Sequence, residues 1–255
     1  TVLHAVVYHL RRYNPNDIQL SRIDKDYILG FLDYLKTAKQ THTKKEKLLH
    51  VNTQVYYYKM LRYCLNYAVS EELISANPMN KIKNEEKPHK HRTEREYLTI
   101  DELRKLAQTP FYNGLLKKAF LFSCFCGLRH SDIIALTWGD IEMDDDGNSR
   151  LYIIQKKTKE AISLPLSQEA IKQLPKREDA KEDDIIFKKL ITLGRTNEIL
   201  PKWAEQAGIK KHITFHTARH THATMLLTLG VDLYTVSKLL GPVSYTHLRA
   251  HETRH

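Results

Sequence analysis

The sequence predicts a mainly α-helical protein, with a helical first domain and an α-rich second domain that contains a small antiparallel β-sheet. Apolar residues recur at helical spacing through most of the chain. A charge-rich stretch without apolar periodicity separates two such regions, and two short β-rich runs flank a polar turn in the second. With 255 residues the chain can bury two modest cores.

The first domain, predicted over residues 1–80, contains two clear helical patterns. The first covers residues 27–35 and has one apolar face, formed by Ile28, Phe31, Leu32 and Leu35. The second runs from about residue 52 to 73 and should bury a face formed by Val55, Leu61, Leu65, Ala68 and Leu73. Asn77 before Pro78 marks a stop, because the residue preceding a proline is disfavoured in helical geometry.

A linker is predicted at residues 81–96. The segment from 79 to 96, MNKIKNEEKPHKHRTERE, carries many charges of both signs, one proline and no apolar period. Such a composition is typical of a solvated connection between domains. We therefore expect the whole segment to be exposed.

The second domain is predicted to cover residues 97–242. Thr99 followed by Glu102 forms a capping-box pattern before a helix that ends near residue 108. The nearly all-apolar segment 115–126 predicts a helix buried on every side. The β-rich runs 151–154 and 161–164 flank the turn QKKTKE and predict a hairpin.

Helical patterns return after the hairpin and continue to residue 240. They cover residues 167–174, about 196–207, 216–229 and 232–240. Gly230 and Gly241 follow the last two helices, where a left-handed residue often ends a helix.

Charge and cysteine usage limit the classes of function. Lys and Arg outnumber Asp and Glu by 40 to 30, so the formal charge of +10 favours a polyanionic partner, with nucleic acid the leading candidate over an ordinary basic protein. The three cysteines, Cys64, Cys124 and Cys126, have no metal-ligand or disulfide spacing and are expected in the core of a reduced, cytoplasmic protein. No membrane span or signal peptide is predicted, and because residue 1 is threonine we expect a fragment or a processed product.

Candidate functional residues occur in three separate segments. Arg129 lies in GLRHSDI after the buried helix, Lys157 lies in the hairpin turn, and FHTARHTHAT contains the last group, His216, Arg219 and His220. Each has an ordinary structural explanation when taken singly, such as a surface arginine, a solvated lysine or a helix-face pair. Their order and spacing decide between the explanations.

Together these segments resemble the boxes of the tyrosine recombinase (phage integrase) family, and most closely those of conjugative-transposon integrases. The family's G-L-R-x-S-[DE] element is similar to residues 127–132, and its hairpin lysine, eight residues before a proline, corresponds to Lys157 before Pro165. Its H-x-L-R-H-[ST]-x-A-T element is similar to residues 216–224, with Ala218 in place of the usual leucine. The first domain resembles the family's SAM-like core-binding domain.

The resemblance implies DNA strand exchange through a 3′-phosphotyrosine intermediate, without a metal or another cofactor. It implies that Arg129 and Arg219 stabilise charge on the phosphate, that Lys157 protonates the leaving 5′ oxygen and that His216 handles the proton of the attacking hydroxyl. Asp132 and His220 would support the site. The implied partner is double-stranded DNA, held in a C-shaped clamp. A recombinase tetramer on two DNA sites is expected, in the bacterial cytoplasm and associated with the nucleoid. Neither a membrane nor a small-molecule substrate is expected.

The C-terminal residues depart from the family pattern. The family continues from L-L-G-H to a nucleophilic tyrosine about nine residues later, whereas here Leu240-Gly241 is followed by Pro242, and His251 stands nine residues further on. Tyr245 comes six residues too early, so we do not predict it as the nucleophile. Residues 243–253, VSYTHLRAHET, are what one frame of a transposase mosaic end with its sequencing adaptor would encode. We therefore expect residues 243–255 to be non-native and this chain to be inactive.

Two other functions remain open from the sequence. A DNA-binding regulator without catalysis fits the charge and the helices, but it does not explain the combination of Arg129, Lys157, His216 and Arg219. A type IB topoisomerase has this kind of site and relaxes supercoils, but the separate helical domain before the linker weighs against it.

Overall fold

The computed structural model describes residues 2–40, 46–91 and 95–240, which fall into two compact units divided between Thr93 and Glu94. Within these residues the fold is mainly helical, with ten α-helices and one three-stranded antiparallel sheet. The predicted fold class is confirmed. The expectations for Gly241, Pro242, Tyr245, His251 and the tail 243–255 lie outside the described residues.

The first unit is built from three helices around one core. They are α1 (Val2–Tyr13), α2 (Lys25–Thr37) and α3 (Val51–Ser70). Asp24 caps α2 by accepting a hydrogen bond from the backbone N of Tyr27 at 2.8 Å. Helix α1 was not predicted, because apolar residues occur on both of its faces: Val6 is buried, whereas Leu3, Val7 and Tyr8 are exposed.

Helix α3 confirms most of its predicted apolar face. Its buried residues include Val55, Leu61, Leu65 and Ala68. The prediction for Leu73 is wrong, because α3 ends at Ser70 and Leu73 is 63% exposed. Glu72 adopts a φ of 57°, and the backbone N of Leu73 donates to the carbonyl of Ala68 at 2.9 Å. This left-handed turn closes the helix and directs Leu73 away from the core.

The beginning of the predicted linker packs against the first unit. Short 3₁₀ turns form at Pro78–Lys81 and Asn84–Glu86. Met79 is fully buried and Ile82 is 4% exposed, both within the core of this unit. The expectation of full exposure is wrong here, because residues three apart lie on the same side of a 3₁₀ turn. The domain boundaries at 1–80, 81–96 and 97–242 stay predictions.

The second unit contains the remaining helices. They are α4 (Ile100–Gln108), α5 (Gly114–Cys126), α6 (His130–Ile133), α7 (Gln168–Ile171), α8 (Leu193–Gln206), α9 (Phe215–Thr228) and α10 (Leu233–Leu240). The predicted capping box is confirmed, because Thr99 N donates to Glu102 Oε2 at 2.8 Å and Glu102 N donates to Thr99 Oγ1 at 3.2 Å. Gly230 has the expected left-handed φ of 84°. Helix α7 ends three residues before the predicted limit of 174.

Helix α5 lies in the main core and packs against α9. Phe120 of α5 meets Trp203 and Phe215 edge to face, with ring centroids 5.9 Å apart in each case. Burial on every side is wrong for the first turns of α5, where Lys118 is exposed and the Nζ of Lys117 donates to the carbonyl of Thr109 at 2.8 Å. Ammonium groups stay near water or carbonyl oxygens because their desolvation is costly.

The sheet consists of β1 (Ile141–Met143), β2 (Ser149–Ile154) and β3 (Ala161–Pro165), in that order and all antiparallel. The predicted β2–β3 hairpin is confirmed, with Ile154 opposite Ala161 at the turn. Strand β1 was missed because three residues are too short to show alternation. Cys124 and Cys126 are buried free thiols as expected, whereas Cys64 is half-buried. Among the described residues, no helix has both the length and the apolar character that a bilayer span requires.

Candidate functional site

Arg129 is placed by the sharp turn that follows α5. Gly127 makes this turn with a φ of 69°. A Cβ at Gly127 would lie 2.6 Å from Leu240 Cδ2 and 2.7 Å from His222 Cδ2, so only glycine allows this close approach. The turn brings Arg129 beside α9 and α10, where its side chain is 15% exposed.

Asp132 connects Arg129 to the hairpin turn. Its side chain is 1% exposed, and Oδ2 lies 3.9 Å from Arg129 Nη1. Its Oδ1 accepts a hydrogen bond from the backbone N of Lys156 at 3.0 Å. The carboxylate therefore lies between Arg129 and the segment that carries Lys157, and its supporting role stays a prediction.

Lys157 is exposed on the β2–β3 turn and borders a cleft of about 460 Å³. The cleft brings the hairpin turn together with the first turns of α9. Its other lining residues are Arg95, Glu96, His212, Thr214, His216, Thr217 and His220.

Arg219 lies beneath this region and is only 4% exposed. Its Nη1 donates to the carbonyl of Gly127 at 2.7 Å, and its Nη2 donates to the carbonyl of Leu240. Burial, and then the nearby charge of Arg129, lowers the pKa of Arg219 to about 9. The guanidinium is thus still protonated at neutral pH, and Asp132 partly offsets the repulsion between the two arginines.

The two predicted histidines lie together on α9. The ring centroids of His216 and His220 are 4.6 Å apart, and the two rings are nearly perpendicular. Desolvation and then four cations, Arg219, Arg95, Arg129 and Lys157, lower the pKa of His216 to about 4. His216 is therefore a neutral imidazole at neutral pH, although it faces the open cleft. Within the described part of the chain, no group of three or more His, Cys, Asp or Glu residues is arranged to hold a metal ion.

Sequence reasoning missed two residues of this region. Arg95, assigned to the solvated linker, lines the cleft, and its Nη1 lies 3.2 Å from Nε2 of His220. No local pattern distinguishes Arg95 from its charged neighbours. Gln155 is fully buried and its Oε1 accepts from Arg129 Nη1 at 2.5 Å. Strand alternation could have found it, because residue 155 lies on the same face as the buried Leu151.

His222 is a buried histidine next to these groups. Its Nδ1 has no hydrogen-bond partner among the described residues. Burial lowers its pKa to about 4, with a smaller lowering by Arg219 and a partial offset from a hydrogen bond with the backbone of Cys124. The folded state therefore resists protonation of this ring until the pH is well below 6.5, the ordinary value.

This shift predicts acid destabilisation. The unfolded chain binds a proton at His222 near pH 6.5, whereas the folded chain binds it only near pH 4. The free energy of unfolding is therefore highest above pH 6.5 and decreases as the pH falls toward 4. At pH 5 the free energy of unfolding should be about 2 kcal/mol lower than at pH 7 because of this histidine. Urea unfolding at pH 7 and pH 5 measures it, and His222→Phe should reduce the difference between the two conditions. An unchanged difference in that variant would contradict the assignment.

The family comparison matches nearly the whole chain. The model described as "Phage integrase SAM-like domain" matches residues 1–87, and that described as "Phage integrase family" matches residues 96–255. This chain belongs to the phage integrase family. The second match covers every predicted site residue of the integrase and also spans the C-terminal segment that we expect to be foreign.

Curated relatives of this integrase carry the name tyrosine recombinase. The tyrosine recombinase XerC of Pelotomaculum thermopropionicum is 25% identical, and the alignment covers 97% of this chain and 85% of the relative. The tyrosine recombinase XerD of Listeria innocua is 31% identical over 78% of this chain and 71% of the relative. The chain is thus a tyrosine recombinase of the integrase type, which confirms the resemblance found in the sequence.

Solved structures share the fold of this integrase. A lambda integrase dimer bound to a COC′ core site has a TM-score of 0.74 at 21% identity, and the match covers 99% of this chain and 88% of that chain. The Tn1549 transposon integrase, in complex with transposon right end DNA, has a TM-score of 0.71 at 15% identity, covering 98% and 87%. Both similarities show that the helices and the small sheet form the integrase fold.

Proposed function

We propose that this integrase-family chain is the core of a site-specific recombinase that cleaves and rejoins double-stranded DNA through a 3′-phosphotyrosine intermediate. The observation that carries the proposal is the gathering of cationic and imidazole groups from three separate segments at one site, namely Arg129, Lys157, His216 and Arg219. A DNA-binding regulator needs surface cations, but it has no need for a buried guanidinium beside a neutral imidazole.

In this proposal Arg129 and Arg219 stabilise the phosphate during cleavage. Attack on phosphorus increases the negative charge on the two non-bridging oxygens. A guanidinium can donate two parallel hydrogen bonds to such oxygens, and the partly buried setting strengthens them. Each donor of this kind is typically worth about 3 to 4 kcal/mol of barrier, which is a factor of about a hundred or more in rate.

His216 and Lys157 handle the protons. A neutral His216 can accept or steer the proton of the attacking tyrosine hydroxyl. The new bond joins the tyrosine oxygen to phosphorus, and the bond from phosphorus to the 5′ oxygen breaks. Lys157, on the turn above the cleft, protonates that leaving oxygen. The phosphotyrosine retains the energy of the broken bond, so a second DNA end can be joined without ATP.

The nucleophile itself is proposed to lie in the native continuation of the gene. None of the four site residues carries a hydroxyl that could attack phosphorus. We propose that the native sequence has a histidine or tryptophan at position 242, followed about nine residues later by a tyrosine. Under this proposal residues 243–255 are non-native, and the chain as given binds DNA without cleaving it.

The proposed partner is double-stranded DNA, bound by a tetramer on two sites. A lambda integrase tetramer with the same fold was solved bound to a Holliday junction, and a XerH recombinase was solved bound to its difH substrate. The formal charge of +10 supports binding to the DNA backbone. The SAM-like match over residues 1–87 supports a recombinase over a topoisomerase.

This partner predicts binding that is strongly dependent on salt. The 255-residue chain should bind duplex DNA at low salt, and its Kd should weaken by at least about tenfold between roughly 50 and 200 mM NaCl, because neutralised phosphates release counterions. Fluorescence anisotropy with a labelled duplex that contains the ends of the mobile element measures this. A Kd that stays constant over this range would contradict a phosphate-dominated interface.

A further inference from the structure

We propose that Gln155 is a positioning residue that holds the two arginines of the site in one geometry; this inference rests on the proposed function. Gln155 is completely buried at the end of β2. Its Oε1 accepts hydrogen bonds from Arg129 Nη1 at 2.5 Å and from Thr158 Oγ1 at 2.9 Å. Its Nε2 donates to the carbonyl of Leu240 at 3.3 Å. Both ends of the amide are therefore in use.

These contacts continue into a closed circuit. The carbonyl of Leu240 also accepts from Arg219 Nη2. The other terminal nitrogen of Arg219 donates at 2.7 Å to the carbonyl of Gly127, two residues before Arg129. The circuit thus runs from Arg129 through the Gln155 amide, the Leu240 carbonyl and Arg219 back to the turn that carries Arg129. One glutamine side chain links the two guanidiniums, which cannot bond directly to each other.

A glutamine suits this position for a chemical reason. Its oxygen fixes one N–H of Arg129 and leaves other donors of the five-donor guanidinium for a phosphate. A carboxylate would instead form an ion pair with Arg129 and compete with the phosphate for it. Its second oxygen would face the carbonyl oxygen of Leu240, and neither of these atoms can donate a hydrogen bond. An apolar side chain of the same length would fill the space but hold neither partner.

The same residue closes the turn that carries Lys157. The backbone N of Gln155 donates to the carbonyl of Glu160 at 2.9 Å, and Lys159 N donates to the carbonyl of Gln155 at the same distance. Gln155 therefore connects the hairpin turn, Arg129 and the C-terminal end of α10. These backbone bonds do not depend on the amide, but the bond from Thr158 Oγ1 to Gln155 Oε1 does. Removing the amide should therefore affect the turn at Thr158, Arg129 and the contact with Leu240 together.

The first test uses the 255-residue chain without DNA. Phenylglyoxal modifies arginines, and peptide mass spectrometry gives the rate at each position. In Gln155→Met, which conserves volume but has no amide, Arg129 should react at least about fivefold faster, as expected for a lost hydrogen bond. In Gln155→Glu it should stay slow, because the carboxylate still accepts from Arg129. The exposed Arg195 serves as the internal reference, and Gln206→Met, at the exposed end of α8, is the matched control.

A packing role for Gln155 predicts equal Arg129 rates in the parent and in Gln155→Met, and that result overturns the inference. Thermal unfolding confirms that each variant is folded. Should Gln155→Met fail to fold, the isosteric Gln155→Glu decides the question in the cleavage assay, because it removes the donor to Leu240 while keeping the acceptor for Arg129, and cleavage at the parent's rate then overturns the inference.

The second test separates this inference from the proposed function. In the gene product with its native continuation, both Gln155 variants should cleave a nicked suicide substrate at least about tenfold more slowly, with the DNA Kd unchanged within about twofold. A cleaving parent with unaffected variants refutes the positioning role alone. A parent that does not cleave, together with the faster Arg129 modification in Gln155→Met, refutes the proposed function and supports the positioning role.

Discussion

Replacing Arg129 by lysine in the gene product with its native continuation should slow DNA cleavage by about a hundredfold or more and leave DNA binding almost unchanged. Lysine keeps the charge but has no planar fork, so it cannot hold two oxygens of one phosphate in parallel. It also cannot contact Gln155 and a phosphate through one rigid group, as Arg129 can. Binding should persist because phosphate contacts are spread over the whole interface.

Single-turnover cleavage of a nicked suicide substrate, made from the ends of the parent element, measures the rate, and anisotropy measures the Kd. The matched control is Arg104→Lys, which changes an exposed arginine on α4 that pairs with Asp101. This control should cleave like the parent. Equal cleavage by Arg129→Lys would show that Arg129 is a structural residue and that the site assignment is wrong.

The second large effect concerns the nucleophile. The 255-residue chain should form no covalent adduct with a suicide substrate, whereas the product with its native continuation should form one. The physical reason is that Arg129, Lys157, His216 and Arg219 stabilise charge and move protons but none provides an attacking hydroxyl. Denaturing electrophoresis of labelled DNA detects the adduct, and mass spectrometry of the adducted peptide locates it.

Tyr245 provides the direct counter-test. An adduct formed by the 255-residue chain, mapped to Tyr245 and lost in Tyr245→Phe, would show that the C-terminal residues supply the nucleophile and are not foreign. The genomic DNA beyond codon 241 is an independent check. We expect it to encode a tyrosine about nine residues after position 242.

Much of the fold could be predicted because its signals are local. The periodicity of α2, α3 and α9, the capping box at Thr99 and the hairpin at residues 151–164 depend on neighbouring residues, which the sequence contains directly. The errors occurred at ends and short elements. Leu73 follows a left-handed residue, and Met79 and Ile82 lie in a turn whose charged neighbours conceal its buried face.

The sequence by itself determined the fold class, the order of the motifs and the candidate residues Arg129, Lys157, His216 and Arg219. Only the tertiary structure decided how these residues meet and which others join them. Arg95 lies against His220, which is 125 positions away in the chain, and Gln155 contacts Leu240 across 85 positions. The low pKa of His216 likewise arises from partial desolvation and from four cations, and three of these, Arg95, Arg129 and Lys157, come from distant segments. Such effects depend on distances through space, and no local pattern of residues encodes them.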